Sequence, residues 1–501
     1  MNPFKKLAGQ TAIYGLPTIV GRLLNYLLVP LYTYNFSPSE YGTVNEMYAY
    51  VSFLIIVLTY GMETALFNFS VKHENKEKVY SMILTTVTCT SGLFILFLWI
   101  FSQPIATAIR YPQHPEYIIW FTLILGMDAV SSIAFAKLRE QNKAKTFAAI
   151  KTLNIVVNIF FNIFFIVYCK SVYENSSSGW AGTLYSPQIG IGYIFISNVI
   201  ASAVTLLVQL PSVLKGFAPF IRRKEAGGEG ALLKTILLYA LPLLVAGLAG
   251  MTNETMDRIL LKYLLPANVA LEQVGIYGAC YKISIIMTMF IQTFRFAAEP
   301  FFFSHSVEKD ARKVYAGVMN YFVIICMVIF LVTMMNISWI QYFVGRDYRT
   351  GLDVVPILLL ANFCLGVFFN LSIWYKLTGK TKFGAWLTIF GAVVTLLGNF
   401  IFIPMYGYMA SAWATLVCYA GMMVVSYFIG NKYYPVSYDM KRFLGYLGLS
   451  LALYVLSLQF VISSHVLNLA AKNSLLLLFL IIVFIFERKN LLNTKNAGQN
   501  N

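Results

Sequence analysis

The stretch Leu238–Ser306, LYALPLLVAGLAGMTNETMDRILLKYLLPANVALEQVGIYGACYKISIIMTMFIQTFRFAAEPFFFSHS, decides the fold. It holds two apolar segments joined by a short polar link, each about long enough to cross the ~30 Å hydrocarbon core of a bilayer. Glu254, Asp257, Arg258, Lys282, Arg295 and Glu299 lie inside those segments or at their ends. Charge is costly in hydrocarbon, so such residues are functional candidates by default. Apolar spans that carry expensive charges point to a transport path.

Composition sets the class. Of 501 residues, 58% are hydrophobic and only 12% charged, whereas about a quarter of residues are charged in soluble domains. The chain reads as an all-α polytopic membrane protein. Its net charge of +16 does not indicate nucleic acid, because the basic residues sit in short loops between apolar runs instead of clustering on a soluble face. The six cysteines, Cys89, Cys169, Cys280, Cys326, Cys364 and Cys418, are scattered, without CxxC spacing or neighbouring histidines. Neither a metal nor a disulfide framework is indicated, and no cofactor is expected.

Hydropathy gives about fourteen transmembrane helices, near 11–34, 44–69, 81–101, 115–137, 146–169, 188–211, 232–256, 273–298, 315–338, 353–375, 383–404, 408–430, 442–463 and 467–486. Pro17, Arg22 and Pro30 interrupt the first run and no small-x-small cleavage site follows, so it reads as a span and not as a signal peptide. The termini and one set of alternate loops carry 27 Lys and Arg; the other set carries seven. That bias predicts cytoplasmic termini.

An internal repeat organises the spans. Leu16-Pro17 recurs as Leu241-Pro242, Gly42 as Gly275, Glu63 as Glu299, Lys78-Val79-Tyr80 as Lys313-Val314-Tyr315, Arg110 as Arg346, and NKAK at 142–145 as GKTK at 379–382. These pairs keep an offset of 225 to 237 residues. Asn162 then matches Asn399, and Gly192-Tyr193 matches Gly407-Tyr408 after an insertion around YENSSSGWAGTLYSP. Each repeat holds six spans, an even number, so both enter the membrane the same way. The expected organisation is an N-terminal six-helix bundle (1–214), a basic Gly-rich cytoplasmic linker (215–231), a C-terminal six-helix bundle (232–430) in pseudo-twofold relation to the first, and two additional helices with a tail (431–501).

The segments PSEYGTVNEMYAYVSFLIIVLTYGMETALFNFS and LPLLVAGLAGMTNETMDRILLKYL, the latter followed by VGIYGACYKI, resemble the polysaccharide transporter branch of the multidrug/oligosaccharidyl-lipid/polysaccharide (MOP) superfamily, Wzx-type flippases in particular. The resemblance covers essentially the whole chain. It implies movement of an undecaprenyl-diphosphate-linked oligosaccharide from the cytoplasmic to the outer leaflet of a bacterial inner membrane, through a central cavity open alternately to each side. It also implies lipid-linked substrate and membrane lipids as partners, and suggests polymerase or ligase enzymes that act on the same glycan.

The residues themselves support a cationic path. A lipid diphosphate carries about two negative charges, and Arg grips phosphate through paired hydrogen bonds. Thr11, Gly15, Thr18, Arg22 and Asn25 share one face of the first span; Tyr281, Ser284, Thr288, Gln292, Arg295 and Glu299 share one face of the eighth, with Lys282 one residue off it. Asn45, Ser52, Thr59 and Glu63 line one side of span two, and Lys151, Asn154, Asn158 and Asn162 one side of span five. Such rows suit sugar hydroxyls and suit helix-helix hydrogen bonds equally well. Arg22, Asn25, Asn154, Asn158, Lys282, Gln292 and Arg295 are the candidate substrate-binding residues.

Glu63, Asp128, Asp257, Arg258 and Glu299 are candidates for coupling to a proton or sodium ion, or for gating. Asp257, Arg258 and Lys262 approach the outer interface, where snorkelling makes charge cheap. Pro17 and Pro242 occupy equivalent places in the first helix of each repeat and read as paired hinges. A cation-coupled drug exporter of the same superfamily is the alternative function, and would favour an apolar or acidic cavity. No enzyme is indicated. GKTK at 379–382 has Trp374 where a phosphate-binding loop requires glycine, and the longest outer link, about 170–187, lacks a catalytic constellation.

Overall fold

A lipid-immersed segment has no water to satisfy its amides, so each crossing must close its hydrogen bonds within its own helix. The computed structural model describes residues 21, 23–24, 26–175, 180–221, 229–306, 308, 310–460 and 462–499. Among them there are helices and turns and no strand. Thirteen helices are long and apolar enough to cross a membrane, each coinciding with one of the last thirteen predicted spans. The first span falls mostly outside the described residues, and its end continues as the helix Leu28–Asn35.

Local sequence explains where the crossings begin. Ser37 caps Pro38–Thr59 by a reciprocal box: its backbone N–H donates to Glu40 Oε2 at 2.8 Å while its Oγ accepts the Glu40 N–H at 3.4 Å, and Pro38 fills the first turn. Asn75 Oδ1 accepts the Lys78 N–H at 2.9 Å at the head of Lys76–Ile100. Asp439 accepts the Arg442 N–H at 3.1 Å before Met440–Leu458.

One crossing is broken. Tyr60 (φ 32°) and Gly61 (φ 76°) adopt left-handed conformations between Pro38–Thr59 and Met62–Lys72, which places Glu63 in the first turn of a new half-helix. The partial positive charge at a helix start favours a carboxylate there. Pro242, by contrast, lies inside the continuous helix Glu229–Leu264, where its ring removes one backbone hydrogen bond without ending the helix.

Two compact units emerge, Met1–Gly275 and Ile276–Asn501. In the first, Lys76–Ile100, Pro115–Glu140 and Gly192–Ile221 pack together around Ile83, Leu84, Val87, Leu125, Ala129 and Ile133. In the second, Val354–Leu371 packs on Tyr408–Tyr433, and the last two helices, Met440–Leu458 and His465–Gln499, pack on Ala311–Met335. Pro115–Glu140 and Val354–Leu377 occupy corresponding places in the two repeats, and each is a deeply buried crossing of its unit, with 67% and 78% of its apolar window covered. Large apolar side chains such as Leu96, Phe97, Phe400, Ile401 and Phe484 are exposed, as a lipid-facing surface requires.

The boundary between the two units falls within the helix Ala267–His305, and Glu229–Leu264 packs on Pro38–Thr59 in the first unit. Glycines permit a close crossing there. A Cβ on Gly42 would collide with the Leu271 carbonyl, and a Cβ on Gly275 with the Pro38 carbonyl. Pro38 and Gly42 stand 233 residues before Leu271 and Gly275, so the two contacts are reciprocal.

Candidate functional site

The repeat carries an ion pair with it. At the end of the first unit that bears NKAK, Arg139 Nη2 donates to Glu63 Oε2 at 2.5 Å, joining Met62–Lys72 to Pro115–Glu140. In the second unit Lys376 pairs with Glu299. Glu63 and Glu299 are 236 residues apart, Arg139 and Lys376 237. The same acid–base contact therefore closes the same two crossings in each unit. All four side chains are partly exposed, so solvent screens the pairs.

The second pair stands in a pocket with an additional cation. Arg295, Glu299 and Lys376 line it together with Phe369, Asn370 and Ser372. The Arg295 guanidinium lies over the Phe369 ring, 4.9 Å from its centroid, and no ion pair of Arg295 occurs among the described residues. One carboxylate against two cations leaves this pocket positive.

Deeper in the first unit is a polar seam. Asp128, half-buried in Pro115–Glu140, interacts with the Ser202 hydroxyl and the Lys151 ammonium. Lys151 lies over the Phe135 ring at 4.3 Å and also feels Glu63 and Arg139. Asn198 Nδ2 donates to Tyr48 Oη at 2.7 Å, Asn154 Nδ2 to Thr205 Oγ1 at 2.9 Å, and Asn162 Nδ2 to Asn158 Oδ1 at 3.0 Å. Tyr32 Oη then donates to Asn162 Oδ1 at 2.9 Å.

At the opposite end is a buried ionic cluster. Glu46, fully buried, accepts from Lys262 Nζ at 2.8 Å, from Tyr111 Oη at 2.5 Å and from Tyr50 Oη at 2.7 Å. Lys262 also donates to the Ile109 carbonyl at 2.6 Å and sits 3.6 Å from the Tyr111 ring centroid. Burial first, and the Glu46 carboxylate second, push the Tyr111 phenol well above its usual range. One turn back, Arg258 Nη1 donates to Asp257 Oδ1 at 3.0 Å and to the Glu254 carbonyl. The expectation of snorkelling at the outer interface is thus corrected: the Lys262 ammonium turns inward because Glu46 and two tyrosine rings offer it a better-paired site than an interface does.

The family model described as polysaccharide biosynthesis protein matches residues 7–306, more than half of the chain. The chain belongs to the polysaccharide biosynthesis protein family. No curated protein matches it. This polysaccharide biosynthesis family member has the MOP-transporter fold: it is similar to the lipid II flippase MurJ in its inward closed conformation (TM-score 0.68, 12% identity, 95% of this chain and 99% of that one). It is also similar to the Vibrio cholerae MATE transporter VcmN in its bent form (TM-score 0.55, 12% identity, 86% and 98%) and to an outward-facing multidrug resistance MATE transporter of the MOP superfamily (TM-score 0.57, 14% identity, 85% and 95%).

Of the residues singled out in this family member, Pro17, Arg22 and Asn25 lie outside the described residues. Arg295 and Glu299 share one pocket; Lys282 and Gln292 are half-buried on the same helix, Ala267–His305. Glu63 and Asp128 both neighbour Lys151, Asp257 and Arg258 pair with each other, and Asn154 and Asn158 bond to Thr205 and Asn162. The polar row of span two mostly bonds its own helix: Asn45, Ser52 and Thr59 donate to the carbonyls of Tyr41, Tyr48 and Ile55. Arg139, Lys376, Glu46 and Tyr111 were not among the sequence candidates. The repeat offset that relates NKAK to GKTK also relates Arg139 to Lys376, and Glu46 follows Gly42 by one helical turn; these were the available signals.

Proposed function

We propose that this protein is a flippase that carries an undecaprenyl-diphosphate-linked oligosaccharide from the inner to the outer leaflet of the bacterial cytoplasmic membrane, for surface polysaccharide synthesis. Transport proceeds by alternating access past cationic side chains, with both termini cytoplasmic. The observation that carries this reading is the positive pocket of the second unit, where Arg295 is held on an aromatic face and carries no ion pair among the described residues, beside the Glu299–Lys376 pair. A guanidinium so presented offers paired donors to a phosphate, and Asn370 and Ser372 add neutral polar groups. The family described as polysaccharide biosynthesis protein and a fold shared with a lipid II flippase support the same substrate class.

A headgroup crosses while its polyprenyl tail stays in lipid, so the protein supplies charge and hydrogen bonds for the diphosphate and sugars only. The Glu63–Arg139 and Glu299–Lys376 pairs close corresponding helix ends and act as gates, Asp257–Arg258 acts at the opposite end, Pro17 and Pro242 act as hinges, and Asp128 couples transport to a proton or sodium ion. Glycan polymerases or ligases are the partners that consume the product. Reconstitution into liposomes with a labelled undecaprenyl-diphosphate oligosaccharide tests this. Loss of one charge-assisted contact worth ~1.5–3 kcal/mol should slow flipping about tenfold or more in Arg295→Ala, and likewise in Arg22→Ala. Parent-like flipping in both removes the cationic path. Efflux of a cationic dye without lipid flipping would favour the drug-exporter reading.

A further inference from the structure

Helix Lys76–Ile100 carries two sets of hydroxyls. Thr86 and Thr90 donate to carbonyls one turn earlier, those of Met82 at 2.8 Å and Thr86 at 3.0 Å. Ser81, Thr85, Thr88 and Ser91 follow steps of three and four residues and share another face, and none of their hydroxyls has a hydrogen-bond partner among the described residues. That face is turned into the unit, with Ser81 and Ser91 each 1% exposed.

Two neighbouring helices bring unpartnered groups to the same depth. Gly126 of Pro115–Glu140 faces Ile95, and Lys137 of the same helix lies 5.2 Å from the Tyr80 ring centroid. Antiparallel counting between those contacts sets Ser131 opposite Thr88. Gly216 of Gly192–Ile221 packs on Tyr80 and Leu84. Gln209, one heptad earlier and hence on the same face, is opposite Val87–Ser91. The Ser131 hydroxyl (3% exposed) and both ends of the Gln209 amide (2% exposed) are without hydrogen-bond partners among the described residues.

The row has polar ends. At one end Lys137 Nζ pairs with Glu77 at 2.8 Å and Glu140 at 3.3 Å. At the other, Asp128 lies one turn from Ser131 and interacts with Ser202, which lies one heptad from Gln209. Ser81 to Ser91 spans about 15 Å at 1.5 Å per residue.

An orphaned polar group at membrane depth costs up to several kcal/mol, so six of them in one seam favour a polar occupant. Hydroxyls and an amide both donate and accept, which suits water, whose two to four partners they provide. A metal ion would use only their lone pairs and would face the Lys151 ammonium beside Asp128. We infer that the seam formed by Ser81, Thr85, Thr88, Ser91, Ser131 and Gln209 holds a file of water that carries protons between the Glu77–Lys137–Glu140 cluster and Asp128. A proton entering at the cluster is relayed by exchange of hydrogen bonds, and the Asp128 carboxylate becomes a carboxylic acid. The groups facing Asp128 are the Lys151 ammonium, the Ser202 hydroxyl and the Tyr48 phenol, with Glu63 and Arg139 beyond Lys151.

This deepens the reading of Asp128 as a coupling residue, and its test contains no cargo. In uniformly oriented proteoliposomes of the full chain, infrared difference spectra give the Asp128 carboxyl band by subtraction of Asp128→Asn. After a pH jump on the Glu77 side, the band should respond about tenfold more slowly in Thr88→Val and in Gln209→Leu than in the parent, with its final amplitude unchanged. Parent-like rates in both variants, or a band that follows sodium instead of pH, would overturn the proton file. Thr88→Val is nearly isosteric, so it decides alone if Gln209→Leu folds poorly. Failure here leaves the flippase proposal standing, because flipping is measured separately.

Discussion

Lys262 and Glu46 have side chains 4% and 0% exposed, so each needs the other. Removing one partner of such a buried pair strands a charge at a cost of about 3–5 kcal/mol, whereas replacing both with neutral groups of similar volume costs much less. Lys262→Met should therefore lower thermal stability more than the double variant Glu46→Gln, Lys262→Met, a comparison that a melting experiment in detergent makes directly. Tyr111 adds a pH dependence. Its phenol titrates in the fold well above the value of 10.0 for a free tyrosine. The folded state therefore holds this proton where the unfolded chain releases it, so Tyr111 contributes fully below pH 10 and its contribution is lost as pH rises through the folded value. The loss of stability above about pH 10 should be shallower in Tyr111→Phe than in the parent; equal slopes would place the titrating group elsewhere.

Close approach decides the next scale. The helices carrying Gly42 and Gly275 cross with backbone against backbone, and neither leaves room for a methyl group. Gly42→Ala and Gly275→Ala should each destabilise the first unit by about 1–3 kcal/mol or more, since the colliding atom is a carbonyl and cannot swing away. Gly92→Ala, with nothing within 4 Å of the added Cβ, should instead stabilise its helix by about 0.5–1 kcal/mol. The repeated ion pair is tested by exchange. Glu299→Lys or Lys376→Glu alone should slow flipping, and the double exchange should recover most of it if pairing is what matters. Continued inhibition in the double exchange would assign those two charges to the cargo instead.

For the whole molecule, thirteen crossings among the described residues and a fold shared with MurJ and MATE transporters make this a multi-pass helical membrane protein in which charge is distributed between helix ends and interior seams. Flipping that requires a pH or sodium gradient in the parent and loses that dependence in Asp128→Asn would identify the coupling carboxylate. Glu63→Gln should then change the rate at fixed gradient without abolishing the dependence, because Glu63 closes a helix end and Asp128 lies inside the unit.

Thirteen crossings could be read directly, because hydrocarbon demands about twenty apolar residues and internal hydrogen bonds from every spanning helix, a requirement local in sequence. The repeat was legible for the same reason: a duplicated bundle keeps its order, so Gly42 recurs as Gly275 and Glu63 as Glu299. Pairing was not. Arg139 reads as one more loop charge until folding sets it against Glu63, 76 residues away, and Glu46 reads as an acid beside a polar stripe until Lys262 arrives from 216 residues on. Whether a hydroxyl bonds its own helix, as Thr86 does, or stays open to a seam, as Thr88 does, depends on rotamer and neighbours and not on residue type. The sequence alone determined a helical membrane protein with a doubled plan, since hydrophobic length and periodicity are properties of the chain. Only the tertiary structure decided which charges neutralise one another and which polar groups stay unpaired, since those depend on contacts between helices far apart in sequence.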